Sequence, residues 1–260
     1  MSSYISPPGL APSFKMKYTP ATWKIHLFFL LLLLSLLCTL LFGPVSTLAC
    51  PSPATTTTLI MSAPIKVVVF LGSVREGRNG IRLANMILNT LRNRNIDVEF
   101  ADAADYNLPV FQKYGFQYTA EDLSDTQTSK LAALRNHIRE ADAFVAVTGE
   151  YNANLQPGLL NLIDSFVPDD YAKRPVAIAS YSIGPLAGAR THGLSRALFG
   201  NLGAFVIPKI VAVPTIHEAI SEEGADLTPN KFHETAIGDL ITELTWYAEA
   251  IAAKRKNDSA

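Results

Sequence analysis

Lys66-Val67-Val68-Val69-Phe70-Leu71, followed at once by Gly72-Ser73-Val74-Arg75-Glu76-Gly77-Arg78-Asn79-Gly80, is the stretch on which the fold turns. After its leading lysine the run is apolar at every position, as expected of a strand covered by helices on both faces of a parallel sheet. Gly72 ends it. Beyond the loop, Ile81, Ala84, Leu88 and Leu91 recur at helical spacing, so this segment predicts an amphipathic helix that packs back onto the sheet. The unit is strand, loop, helix.

The same cycle repeats down the chain. Strands are expected at 98–101, 143–148, 175–181 and 204–213, the last interrupted by Pro208, and helices at 130–139, 157–166, 191–202 and 232–253. Alternation of this kind indicates an α/β three-layer sandwich around a five-stranded parallel sheet, because parallel neighbours need crossovers and those crossovers are right-handed. Ligands of such sheets bind beyond the carboxyl ends of the strands. The informative loops are therefore those after the first, third and fourth strands.

Composition narrows the classes further. A chain of 260 residues with 48% hydrophobic and 17% charged side chains and a formal charge of -1 is neither disordered, collagen-like nor a disulfide-stapled mini-protein. The charge is uneven. Residues 1–60 carry Lys15, Lys17 and Lys24 and no acid, which leaves a formal charge of -4 on residues 61–260 and argues against a duplex-binding domain. Nucleic acid is not an expected partner. Cys38 and Cys50 both precede residue 61, so the remainder has no thiol for disulfides, zinc ligation or covalent catalysis.

Residues 25–45 form an apolar segment, with LFFLLLLLSLLCTLLF at its centre, and a Pro/Thr-rich linker follows. It is longer than most signal-peptide cores and shorter than a comfortable span of about 20 residues. Two readings stand. In one the segment is a signal or anchor, the lysine flank stays in the cytoplasm, and everything after Val45 lies across the membrane. In the other the protein starts at Met61, just before the first strand, and the domain is cytoplasmic. Either way residues 1–60 are an extension and 64–256 the folded domain.

The loop 72–80 joins a strand to a helix start, where free backbone N–H groups and the positive dipole end attract anions. Ser73 and Asn79 add neutral donors, and Arg75 adds a charge-assisted fork worth on the order of 1.5 to 3 kcal/mol against an ionised partner. The loop lacks Gly-Lys-Ser/Thr and does not fit G-x-G-x-x-G, which leaves a monophosphate as the better guest. The bland reading is Asn79 as an N-cap beside solvated arginines. After the third strand, Glu150-Tyr151-Asn152-Ala153-Asn154 offers an aromatic face with acceptors and donors, suited to a planar heteroaromatic ring. Its bland reading is a turn. After the fourth strand, Ser182 and Gly184 lie in YSIGPLAGAR, a loop able to approach the same crevice.

Other chemistries find little support. His137, His192, His217 and His233 are too scattered for a ligand pair, and no metal site is expected. No G-x-S-x-G elbow surrounds Ser73 or Ser182, and Asp169-Asp170 reads more simply as a solvated pair than as an acid and a base.

At the three loops the sequence resembles the NADPH-dependent FMN reductase family, over about residues 65–215. GSVR with the Asn-Gly helix start is similar to the family's phosphate loop, EYN followed by PG to its ring loop, and YSIGPLAGAR to its S-x-G-x-x-x-G-x-R loop. Arg78 stands where a Ser is common, and one residue is inserted between Asn152 and Pro157. The resemblance implies a flavodoxin-like fold and FMN, with Ser73, Arg75, Arg78 and Asn79 around the phosphate, Glu150, Tyr151 and Asn152 along the ring, and Ser182 and Gly184 facing it. It further implies hydride transfer from NADPH to flavin N5, then two electrons to a quinone, free flavin or similar small acceptor, with no catalytic side chain. A homodimer or tetramer is implied as well. The rival class is an FMN-binding electron carrier or regulatory module that turns over no nicotinamide.

Overall fold

The structure, a computed structural model, describes residues 64–258. Five parallel strands, β1 (Lys66–Leu71), β2 (Asp97–Asp102), β3 (Ala143–Gly149), β4 (Pro175–Tyr181) and β5 (Phe205–Val213), lie in the order β2-β1-β3-β4-β5. This is the flavodoxin-like doubly wound order, with its switch point between β1 and β3. The helices are α1 (Gly80–Asn93), α2 (Ala103–Tyr106), α3 (Asp125–Glu140), α4 (Pro157–Asp164), α5 (Pro168–Tyr171), α6 (Thr191–Asn201), α7 (Ile216–Ala219) and α8 (Phe232–Asp258).

The pleat of β1 divides the core in two. Val67, Val69 and Leu71 face Leu83, Ile87 and Leu91 of α1 and Leu240, Ile241 and Leu244 of α8. Val68 and Phe70 face the other way, onto Leu134 and Ile138 of α3 and Leu159 and Ile163 of α4. Alternate side chains of one strand thus belong to separate layers, which is why the run had to be apolar throughout.

Several boundaries differ from the expected ones. Helix α3 begins at Asp125 rather than 130, because Ser124 and Gln127 form a reciprocal capping box ahead of the apolar stripe. Helix α8 runs on to Asp258 through a charged last turn. The short helices α2, α5 and α7 were not anticipated. Pro208 is accommodated on the edge strand by a register shift, where Val176 and Ile178 pair with Val206 and Ile210. Arg196 donates to the carbonyls of Val206, Ile207 and Pro208 at 3.1–3.3 Å, supplying partners along that strand.

The apolar segment at 25–45 and the linker after it lie outside the described residues. Among the described residues no helix is long and apolar enough to cross a membrane.

Candidate functional site

Because Leu71 pairs with Asp102 in the sheet, the end of β2 stands beside the base of the loop after β1. Arg78 reaches across this gap, making a two-pronged ion pair with Asp102 and donating to the Ser73 carbonyl at 2.7 Å. Asp102 also caps α2 by accepting from the Ala104 N–H at 3.0 Å. Arg78 is thereby bound into the loop's own framework. Arg75 is its opposite: an exposed side chain with its guanidinium carbon 5.4 Å from the Tyr151 ring centroid, and among the described residues no carboxylate pairs with it.

Gly77 turns the loop at φ +62°, a conformation that favours glycine. Asn79 occupies the N-cap position of α1, yet its side chain makes no capping bond, and the first turn holds no acidic residue. The helix start therefore keeps donors and a positive dipole end without an acidic side chain to answer them.

The loop after β3 makes a tight turn. Tyr151 and Asn154 exchange backbone hydrogen bonds of 3.0 Å, with Asn152 and Ala153 at φ 51° and 61° between them. Two successive left-handed residues are the signature of a type I′ turn. Its geometry presents Tyr151 towards the β1 loop, where its hydroxyl lies 2.9 Å from Ser73 Oγ, and leaves Asn152 exposed at the tip. Glu150 pairs through Oε1 with Arg190 at 3.1 Å, while its Oε2 is buried and has no hydrogen-bond partner among the described residues.

In the loop after β4, Ser182 donates to the Gly184 carbonyl at 2.7 Å. Close backbone approach belongs to Gly188, at φ +74°, where a Cβ would lie 2.9 Å from the Tyr181 carbonyl oxygen. A Cβ at Gly184 would meet nothing within 4 Å among the described residues, so no contact there requires that glycine. Ser180 is fully buried, donates to the Ala187 carbonyl at 2.7 Å and sits 2.8 Å from His192 Nε2. With the hydroxyl proton directed to Ala187, the imidazole is the donor to Ser180. The pair anchors the loop and is not an activated nucleophile. Burial, with Arg196 nearby, holds the His192 pKa below its ordinary value.

These loops enclose a cleft of about 270 Å³, walled by seven of the nine residues picked out from sequence: Ser73, Arg75, Arg78, Asn79, Glu150, Tyr151 and Ser182. Asn152 and Gly184 lie outside its wall. Tyr181, which sequence reasoning passed over, is part of it, and Gln156 lies behind Tyr181 with its amide nitrogen 3.2 Å from the phenol oxygen. Burial raises the Tyr181 pKa above its ordinary value. A second hollow, of about 530 Å³, opens beyond Val74, among Leu108, Phe111, Leu160 and Asp164. Burial raises the Asp164 pKa there.

A doubly wound sheet with an anion-ready helix start at its switch point and two flanking loops defines a flavodoxin-like, nucleotide-binding α/β domain. A model of the NADPH-dependent FMN reductase family matches residues 65–218, and the chain belongs to that family. A quinone reductase of Escherichia coli strain K12 is 37% identical over 161 residues, covering 57% of this chain and 77% of its own. An NADPH azoreductase of Bacillus sp. strain OY1-2 is 25% identical over 193 residues, covering 74% and 97%. Among solved structures, FerB, a flavoenzyme NAD(P)H:(acceptor) oxidoreductase from Paracoccus denitrificans, superposes with a TM-score of 0.56 at 19% identity, covering 71% of this chain and 98% of its own, a likeness of fold. The chain is an NAD(P)H-dependent oxidoreductase that uses FMN.

Proposed function

We propose that the 270 Å³ cleft is the FMN site, with the phosphate at the start of α1 and the ring between the loops after β3 and β4. The observation that carries this reading is the convergence, in one cleft, of an α1 start without an acidic side chain, Arg75, which pairs with no carboxylate among the described residues, and Glu150, one of whose oxygens is buried without a hydrogen-bond partner among them. The first two fit a phosphate; the third is an acceptor that fits a ring N–H. Ser73 and Asn79 join Arg75 as phosphate donors, whereas Arg78 acts through Asp102 to hold the loop in shape. Tyr151 and Asn152 border the ring with Glu150, and Ser182 and Gly184 face it, the open space beside Gly184 leaving room for it.

When bound, FMN supplies two-electron redox chemistry between NAD(P)H and the acceptor. A quinone is the favoured acceptor class, on the strength of the Escherichia coli relative's name. The folded domain is residues 64–256, assembled as a homodimer or tetramer and located in the cytoplasm where NADPH is supplied; residues 1–60 are an extension. N-terminal peptide mapping of the native protein checks the location: peptides beginning at Met61 or Ser62 support the cytoplasmic form, and retention of residues 25–45 favours an anchored form instead.

The test of activity is steady-state NADPH oxidation by the purified, FMN-loaded chain with benzoquinone. Turnover with a yellow flavin spectrum is the expected result. A coloured protein that oxidises no NADPH with benzoquinone, free flavin or an azo dye would overturn the reductase reading in favour of an electron carrier.

A further inference from the structure

Arg190 stands where a helix disfavours a cation. It is the residue just before α6, at the positive end of that helix's dipole, and its guanidinium is answered by the Glu150 carboxylate at 3.1 Å. Its backbone is held from both sides. Ser180 donates to the Ala187 carbonyl and the Thr191 hydroxyl to the Gly188 carbonyl, each at 2.7 Å, and the Ala189 N–H donates to the Leu186 carbonyl at 2.9 Å. The loop after β4 therefore launches this side chain from a fixed point towards the loop after β3.

The pair is asymmetric. The Glu150 side chain is 12% exposed and that of Arg190 55%, so the carboxylate belongs to the cleft wall while its partner stands out towards solvent. Arg190 engages Oε1, whereas Oε2 is buried and has no hydrogen-bond partner among the described residues. The arginine thus orients the carboxylate and offsets its charge, and leaves Oε2 unengaged. That charge matters beside a redox cofactor. Reduction of FMN by two electrons with uptake of one proton adds one negative charge to the flavin, and an uncompensated carboxylate beside the ring opposes that gain.

We propose that Arg190 is a positioning residue that neutralises Glu150 at the flavin ring and so holds the redox potential of bound FMN above the value the carboxylate alone would impose. The inference rests on the assignment of the ring to this cleft.

The test measures the midpoint potential of FMN on the full chain, by equilibration with a reference dye at about pH 8, above the ordinary carboxyl range. It compares wild type, Arg190→Gln, Arg190→Lys, Glu150→Gln and the double variant Arg190→Gln with Glu150→Gln, each first shown by circular dichroism to be folded. The same shift follows from the ratio of the Kd values for oxidised and reduced FMN, so weakened binding does not hide it. Arg190→Gln is expected to weaken binding of reduced FMN about tenfold more than binding of oxidised FMN, the order of one partly screened charge contact, which lowers the potential by about 30 mV for a two-electron couple. Glu150→Gln should raise it by a similar amount, the double variant should return close to wild type, and Arg190→Lys should retain the wild-type value. Equal losses of affinity for the two forms of FMN in Arg190→Gln, a lysine variant shifted as far as the glutamine one, or a double variant shifted as far as Arg190→Gln alone would each overturn the proposal. A potential that responds to Glu150→Gln leaves the ring assignment standing in all three cases. If neither the potential nor the FMN affinity responds to Glu150→Gln, the ring assignment falls as well.

Discussion

Arg75→Ala separates binding from folding most cleanly. The side chain is exposed and, among the described residues, meets no carboxylate, so its removal breaks no ion pair there; its guanidinium stands 5.4 Å from the Tyr151 ring centroid. An exposed cation over an aromatic ring is worth about 0.5 kcal/mol, and that contact exists before any ligand arrives, so it contributes little to the difference on binding. What is lost is a charge-assisted contact to phosphate. Taken at the low end for an exposed, salt-screened group, that is about 1.5–2 kcal/mol, or roughly a tenfold to thirtyfold rise in Kd. Stability of the flavin-free protein should change by less than about 0.5 kcal/mol. The neighbouring Arg78→Ala supplies the contrast, because it strands Asp102, whose side chain is 4% exposed. Stranding a buried charge costs about 3 kcal/mol, which in a domain of this size lowers Tm by roughly 6–12 °C. Isothermal titration with FMN and with riboflavin, beside thermal unfolding without flavin, reads both effects. An unchanged FMN affinity in Arg75→Ala, or an equal loss for riboflavin, would refute the phosphate assignment; equal Tm losses in the two variants would refute the division of labour between the arginines.

Gly80→Ala puts a methyl group 2.3 Å from the Tyr181 hydroxyl oxygen and 2.7 Å from its ring, and should cost about 1–3 kcal/mol of stability in thermal melts, whereas Gly184→Ala enters open space and should leave Tm unchanged in the flavin-free protein. Asp164→Asn should stabilise the fold at neutral pH. Burial raises the Asp164 pKa above 3.8, so the folded state holds its proton more tightly than the unfolded chain and stability falls as pH rises through that interval. Melts of wild type and Asp164→Asn should therefore diverge as pH rises above about 4, with the variant higher; an unchanging difference down to pH 3 would contradict the linkage.

What could be read from the sequence follows from the range over which each feature is determined. β1 and β4 came out at their observed limits because a strand buried on both faces is apolar at nearly every position, a purely local signal that Lys66 and Ser180 interrupt only near the ends. Helix α3 was read five residues short because its first turn is polar and exposed, so only the Ser124–Gln127 capping box marks the start and the apolar stripe does not. The three site loops were legible for a similar reason: glycines, a helix start and an aromatic turn all announce themselves within ten residues. The roles of Arg75 and Arg78 were not. Only the pairing of Leu71 with Asp102 across the sheet decides which arginine is held, and that partner lies 24 residues from Arg78. Gln156 and Tyr181 were missed on the same ground, since a glutamine before a helix and a tyrosine ending a strand acquire meaning only where β3 and β4 bring them together beneath Gly80 and Gly149. Substitutions that keep the local motifs but break these sheet-dependent pairings should therefore leave the site recognisable in sequence while altering what it binds.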